Sequence, residues 1–463
     1  MEENNLQTNK MRTMPVGKLL FTMALPLALS MLVQALYNVV DSIYVSRISP
    51  SAVTSLSLAF PIQHLIIGFA TGIGVGMNSL LSKSLGENNR QRVNYAAGNG
   101  IFLMLIATVL FMVFGAVGAR PFFEMQSNVA ETVNGGTAYL TICCLFSIGI
   151  FVEVLGERML QASGRTIYTL FTQGTGAVLN IILDPVFIFG VPELGIPALG
   201  MAGAAIATVI GQWVAAILAV IFNLTRNPDV SFALKYLKPN GRVLKKMMSV
   251  GIPSIIMMAI GSVMTFSMNG IFQSFKDYGE TATGVFGVYF KLQSFVIMPL
   301  MGINNASVSI IAYNYGARLP DRIKKNLKCS LIAALVIMFS GFALFQLVPE
   351  LLLSLFEPTE EFKAIGISAL RIVSVGFPMA GVSIALGASF QALGVGIYST
   401  INSLCRQLIV LVPIAYLLSL TGDVHLVWWA FAAAELVSML LTLLFFRRVY
   451  RQKVKPLVQG ENL

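Results

Sequence analysis

Charge is scarce in this chain. Asp, Glu, Lys and Arg make up 11% of its 463 residues, against about 25% in a soluble globular domain. With 56% hydrophobic residues and a mean hydropathy of +0.77, a water-soluble fold is excluded and the expected solvent is a lipid bilayer. Histidine is scarcer still: His64 and His425 are the only two, too few to build a histidine zinc or iron centre. The four cysteines, Cys143, Cys144, Cys329 and Cys405, stand in apolar surroundings. They have neither metal-ligand spacing nor the pairing of a secreted scaffold, so they read as core packing. The run Gly72-x-Gly74-x-Gly76 lacks the preceding strand and following Lys-Ser/Thr of a phosphate loop, and reads as close helix packing. No His-Glu-x-x-His or Gly-x-Ser-x-Gly pattern falls in an apolar run. Neither an enzyme nor a cofactor is expected.

What the chain does have is a succession of apolar runs of the length that crosses hydrocarbon, roughly 20 residues each. Breaks in charge, Gly and Pro place spans near 17–46, 53–82, 95–118, 137–161, 166–190 and 200–224, then near 243–272, 281–312, 327–349, 364–391, 396–420 and 425–446. The expected fold is an all-α integral membrane protein of twelve transmembrane helices. Met1–Lys18 is polar and the apolar stretch after it far exceeds a signal-peptide core, so it reads as a retained first span.

The net charge of +10 is unevenly placed. Lys and Arg gather in the N-terminal tail, the 83–95 loop, the 158–165 turn, the 226–246 linker, the 318–328 loop and the C-terminal tail. The intervening loops hold only Arg47, Arg120, Lys276 and Lys363. This alternation is the positive-inside bias; it predicts cytoplasmic termini and linker, a multi-pass protein of the cell (inner) membrane, and no nucleic-acid partner. Asn223-Leu-Thr225 fits a glycosylation acceptor but falls on the predicted cytoplasmic side.

An offset of 230 residues superposes Ala52, Gln63, Gly72 and Arg92 on Ala282, Gln293, Gly302 and Arg322, and Gln161, Ala162, Gly164 and Tyr168 on Gln391, Ala392, Gly394 and Tyr398. Six spans separate equivalent points, so the halves enter the membrane in the same direction, as a parallel repeat. The expected organisation is one six-helix bundle over 1–224, a linker over 225–246 and a second bundle over 247–463. Cargo is expected at the midplane between them.

An ionisable group in hydrocarbon costs about 2.5–3.5 kcal/mol on insertion scales and is a functional candidate by default. Five carboxylates lie within predicted spans: Asp41, Glu153, Glu157, Asp184 and Glu435. Asp41 and Asp184 each stand six residues short of the outer end of their span, about 9 Å at 1.5 Å per residue. Tyr37 and Asn38 precede Asp41 on its helix, and Asn180 precedes Asp184 by one turn, giving each a polar face. Pro185 removes a backbone donor and clashes with the Ile181 carbonyl. A bent pocket with two carboxylates is a candidate proton or cation site. In the second half Asn269 comes within one position of the Asp41 equivalent and Ile414 falls opposite Asp184, so the ion chemistry is assigned to the N-terminal bundle. Glu157 and Arg158 read equally as an interfacial pair or as transport residues. Lys291, Arg371, Arg406 and Glu435 lie in the second bundle, some of them as structural pairs.

These residues resemble the multidrug and toxic compound extrusion (MATE) transporters over nearly the whole chain, in particular the bacterial and archaeal branch with an aspartate in the first helix. The resemblance rests on Pro26 with Gln34-Ala-Leu-Tyr37-Asn38-Val-Val-Asp41, on Leu179-Asn180-Ile-Ile-Leu-Asp184-Pro185, and on Gly203-Ala-Ala-Ile-Ala-Thr208. It implies a V-shaped pair of six-helix bundles that exports organic cations by alternating access in exchange for H⁺ or Na⁺. It further implies a coupling site at Asp41, Tyr139, Asn180, Asp184 and Thr208, with a candidate Na⁺ site at Asp41, Asn180, Asp184 and Thr208. Small organic cations and the bilayer are the implied partners, and the single chain the functional unit. Many relatives carry asparagine at the Glu157 position. The alternative is a flippase for lipid-linked or amphipathic cargo on a related scaffold; its anionic cargo would call for a basic cleft, whereas the aspartates suit cations.

Overall fold

The computed structural model describes residues 9–458 except 277, 357 and 358. The ends of both predicted tails lie outside the described residues. The fold is all-α: one isolated bridge, between Val191 and Ile196, is the only extended pairing among the described residues. Among the described residues ten helices are long and apolar enough to cross a membrane, and two bent helix pairs bring the number to 12 if each pair is one span.

The first half contains α1 (Val16–Ser46), α2 (Pro50–Gly86), α3 (Arg90–Val113), the bent pair α4 (Ala130–Leu145) and α5 (Ile148–Ala162), α6 (Ile167–Phe189) and α7 (Met201–Arg226). The second contains α8 (Gly241–Gln273), α9 (Gly279–Gly316), α10 (Pro320–Leu347), the bent pair α11 (Glu360–Ser374) and α12 (Phe377–Ala392), α13 (Ile397–Leu404), α14 (Val412–Ser419) and α15 (Trp429–Val449). A π-helical run, Cys405–Leu411, joins α13 to α14.

The runs near 137–161 and 364–391, each expected as one span, are helix pairs bent by 47° and 46°. In the second, Pro378 has no backbone donor for the Ser374 carbonyl and its ring crowds that oxygen. The first breaks without a proline, around Phe146 and Ser147. Hydropathy continues unchanged across both breaks, so an apolar pattern cannot reveal them.

The repeat seen in the sequence extends to backbone conformation. Asn88 and Arg318 both take positive φ, 57° and 56°, and Gly164 and Gly394 take 78° and 74°; each pair is separated by the 230-residue offset. Each sits in a helix-ending turn closed by a bond from the next amide: Asn89 to the Ser84 carbonyl, Leu319 to Asn314, Arg165 to Leu160 and Val395 to Phe390. That is the hydrogen-bond pattern that ends a helix on a left-handed residue. Arginine gains nothing from that region, so the repeat's geometry prevails over residue preference at Arg318.

Packing divides the chain into two compact units, Leu29–Ile255 and a second formed by residues up to Ala28 with those from Ile256 onward. The changeover therefore occurs within α1 and α8, just past Pro26 and Pro253, rather than in the linker.

In the unit of residues 29–255, the glycines of α2 are contact points. A Cβ on Gly72 would come 2.8 Å from the Gly251 carbonyl oxygen, one on Gly76 2.3 Å from that of Met247, and one on Gly74 2.8 Å from Arg158 Cγ. The linker is fastened to α3. Asn99 Nδ2 donates to the Tyr236 and Lys238 carbonyls, and its Oδ1 accepts from the Asn240 amide at 2.8 Å. Asn94 Oδ1 accepts from the Ser231 amide at 2.8 Å. Asn223 is 3% exposed and donates to the Gly156 carbonyl, a structural use that leaves no acceptor for a glycan.

In the other unit, Gly302, the offset partner of Gly72, meets the backbone of Ala28, with a Cβ distance of 2.5 Å. Arg322 donates to the carbonyls of Met11 and Met14 and to Asn314 Oδ1, fixing the segment that leads into α1. Trp428 is wholly buried, stacked between Phe272 and Phe431 at 4.5 and 6.0 Å. Such aromatic contacts contribute about 0.5–1.5 kcal/mol each, which matters where lipid removes the hydrophobic drive between helices. The expected structural pairing in this half is realised by Arg406 and Glu435 at 2.7 Å.

Candidate ion-coupling site

The site lies within the 29–255 unit, and helix packing explains how its residues meet. α6 and α7 cross at glycine: a Cβ on Gly211 would stand 2.7 Å from the Gly176 carbonyl oxygen, and one on Gly203 2.3 Å from that of Phe187. Small residues bring the two backbones together. This close approach sets Thr208 of α7 beside Asn180 of α6.

Asp184 is fully buried and Asn180 is 2% exposed. Asn180 Nδ2 reaches Asp184 Oδ1 at 3.3 Å and Thr208 Oγ1 at 3.3 Å. With the amide turned so that its oxygen faces Thr208, the hydroxyl donates to it at 3.3 Å and the amide nitrogen donates to Asp184 Oδ2 at 3.3 Å. That orientation gives the amide oxygen a donor and the amide nitrogen an acceptor, and the chain then runs Thr208 to Asn180 to Asp184.

Asp41 comes in from α1. It is half-buried and its Oδ1 has no hydrogen-bond partner. Tyr44 of α1 and Phe189 of α6 meet edge to face at 6.4 Å, so the stretch of α1 that carries Asp41 lies along the stretch of α6 that carries Asp184. Tyr139 of α4 is 2% exposed, and its hydroxyl accepts a hydrogen bond from Gln63 Nε2 at 2.7 Å.

The structure thus brings together Asp41, Tyr139, Asn180, Asp184 and Thr208, with Tyr37 alongside. Asn38 is exposed. Pro26 lies 15 residues before Asp41, about 22 Å along a helix, and packs with the other unit. Pro185 leaves α6 unbroken to Phe189. Sequence reasoning missed Gln63, although its match with Gln293 in the repeat marked a polar residue inside a span.

Glu157 is 3% exposed and faces α6, where Thr172 Oγ1 and Gln173 Nε2 contact its two oxygens at 2.6 and 2.9 Å. Arg158 turns to Gln161, 3.0 Å away. Glu157 and Arg158, read equally as an interfacial pair or as transport residues, take different hydrogen-bond partners. Among the described residues no group of three or more His, Cys, Asp or Glu is placed to hold a metal ion.

Comparison with known proteins agrees with this architecture. The MatE family model matches the chain twice, over residues 26–186 and 253–417, beginning at Pro26 and Pro253. The multidrug export protein MepA of Staphylococcus haemolyticus is 24% identical over 433 residues, covering 92% of each chain. The probable multidrug resistance protein YoeA of Bacillus subtilis is 26% identical over 454 residues, covering 97% of each. A solved MATE structure in complex with MaL6 superposes with a TM-score of 0.90 at 25% identity, over 97% of this chain and 99% of that one. An outward-facing multidrug resistance MATE transporter gives 0.88 at 25% identity, over 96% and 97%. A family model matched once in each half, on a fold that agrees from end to end, establishes that this chain belongs to the MatE family of multidrug-efflux transporters.

Proposed function

We propose that the chain is a secondary antiporter that exports small organic cations in exchange for H⁺ or Na⁺ by alternating access, with both termini and the linker in the cytoplasm. The observation that carries this reading is Asp184: a fully buried carboxylate at the end of the Thr208–Asn180 hydrogen-bond chain, within the field of Asp41. Two carboxylates in one low-dielectric compartment repel, so an arriving cation or proton relieves a cost that water cannot screen. Asp41, Asn180, Asp184 and Thr208 supply oxygens of the kind Na⁺ prefers, and the carboxylates equally accept protons. No cofactor takes part. The multidrug export and resistance named for the relatives support export of small molecules, and the two aspartates favour cations among them.

Coupling requires the ion and the drug to favour different conformers, because a ligand with equal affinity for both shifts nothing. Deprotonated Asp41 and Asp184 attract the cationic cargo while the protein is open inward. The ion taken up outside neutralises them and releases it. The test is ethidium transport in proteoliposomes with an imposed pH or Na⁺ gradient. Asp41→Asn and Asp184→Asn should each abolish gradient-driven transport at normal folding yield; undiminished transport by both would end the assignment.

A further inference from the structure

Glu157 is a buried carboxylate to which the coupling scheme gives no task. Its partner Thr172 is unusual: Oγ1 lies 2.6 Å from Glu157 Oε1 and also 2.9 Å from the Thr169 carbonyl oxygen. A hydroxyl has one hydrogen to donate. When Glu157 is ionised, Thr172 donates to it. When Glu157 carries a proton, it donates to Thr172, which donates onward to Thr169. Both states are bonded with no heavy atom moved, and Gln173 Nε2 holds the other oxygen at 2.9 Å throughout. Thr169 is 1% exposed, with an Oγ1 that has no hydrogen-bond partner. It lies three and four residues before Thr172 and Gln173, on the same face of α6.

This arrangement is connected to the aspartates. Glu153 is one turn from Glu157 on α5, and the Glu157 charge acts on it. α5 packs on both α6 and α7, the helices that carry Asn180, Asp184 and Thr208. The buried face of α6 runs from Thr169 and Thr172 through Gly176 and Asn180 to Asp184; Thr172 to Asp184 is 12 residues, about 18 Å. The titratable and charged groups around the pair are Arg158, beside Glu157, and Tyr37, beyond Glu153. The neighbouring helices bring neutral groups: Ser82 of α2 to the Ala162 carbonyl, Gly100 of α3 against Leu155, and Asn223 of α7 to the Gly156 carbonyl, besides Thr172 and Gln173.

We propose that Glu157, with Glu153 as the intermediate, is a proton station between the Asp41–Asp184 pocket and the cytoplasmic ends of α5 and α6. A proton leaving the aspartates protonates Glu153, passes to Glu157, and leaves to water near the 163–166 turn; each carboxylate gains and loses one proton per passage. The proposal rests on the coupling reading above and commits the ion to H⁺.

The test uses the full chain in proteoliposomes with a lumenal pH dye and ethidium, measuring ethidium binding and proton-linked exchange separately. Glu157→Gln and Glu153→Gln keep shape and hydrogen bonds but cannot carry an acid proton. Each should bind ethidium within about twofold of the parent while exchange falls about 100-fold, the low end of the range for a lost proton-transfer group, and its rate loses pH dependence. Thr172→Val removes the relay hydroxyl and leaves the acid; it should slow exchange severalfold with binding intact, and it decides the matter if the Gln variants fold poorly. Parent-like exchange in these variants while Asp41→Asn is dead overturns the station and leaves the coupling reading standing. Transport driven by Na⁺ alone also overturns the station and leaves antiport intact. Full exchange in Asp41→Asn and Asp184→Asn removes the coupling reading itself.

Discussion

At the scale of single residues, the pocket depends on Asn180, which takes one hydrogen bond and gives another. Removing the amide leaves a fully buried Asp184 carboxylate without its donor, a loss of about 1–3 kcal/mol for a buried acceptor and more for a charged one. Asn180→Ala should therefore impair ion-driven ethidium transport as severely as Asp184→Asn. Gln63→Leu, which frees the Tyr139 hydroxyl, should cost only severalfold, and a parent-like rate for Asn180→Ala in the liposome assay would refute the chain. How far these residues were legible follows from their chemistry. Asp41 and Asp184 announce themselves because a carboxylate in an apolar run is expensive, and counting residues to the span ends gave their matching depth. Tyr139 and Thr208 came only through family resemblance. Gln63 stayed hidden because uncharged polar side chains are common in spans, and the contacts of Glu157 with Thr172 and Gln173 because they cross a turn between two helices.

At the scale of helices, the α6–α7 crossing is the feature that sets the pocket's width. Gly211→Val would place a branched side chain where a Cβ already stands 2.7 Å from the Gly176 carbonyl oxygen. Backbone cannot yield as a side-chain tip can, so we expect a loss of about 1–3 kcal/mol, the usual range for overpacking, and separation of Asn180 from Thr208. Thermal unfolding in detergent reads this directly; an unchanged Tm would mean the helices can part without penalty. Helix existence was readable from hydropathy almost throughout, and the 230-residue repeat was readable from scattered identities. The two bends were not, and neither was the change of packing partner inside α1 and α8. A helix is locally the same whichever unit it touches, so its periodicity carries no record of where the neighbour changes.

At the scale of the whole protein, the energetics turn on stoichiometry. Exchange of one monovalent cation for one entering proton moves no net charge, and membrane potential then contributes nothing. Entry of two protons moves one charge, for which 100 mV supplies about 2.3 kcal/mol, roughly 50-fold in cargo gradient at 1.4 kcal/mol per tenfold. Clamping liposomes at zero and at −100 mV with valinomycin should separate the cases, with voltage-independent ethidium accumulation for one-for-one exchange. The seating of the linker has its own consequence for the chain as a whole. Asn94 and Asn99 grip residues 231, 236, 238 and 240, so the helical phase of α8 is set before its first turn. Deleting one residue between 232 and 239 would turn α8 by about 100° at 3.6 residues per turn, swinging Met247 and Gly251 off the glycine ridge they straddle. An inserted residue can bulge harmlessly into water, which makes this stretch tolerant of lengthening and intolerant of shortening.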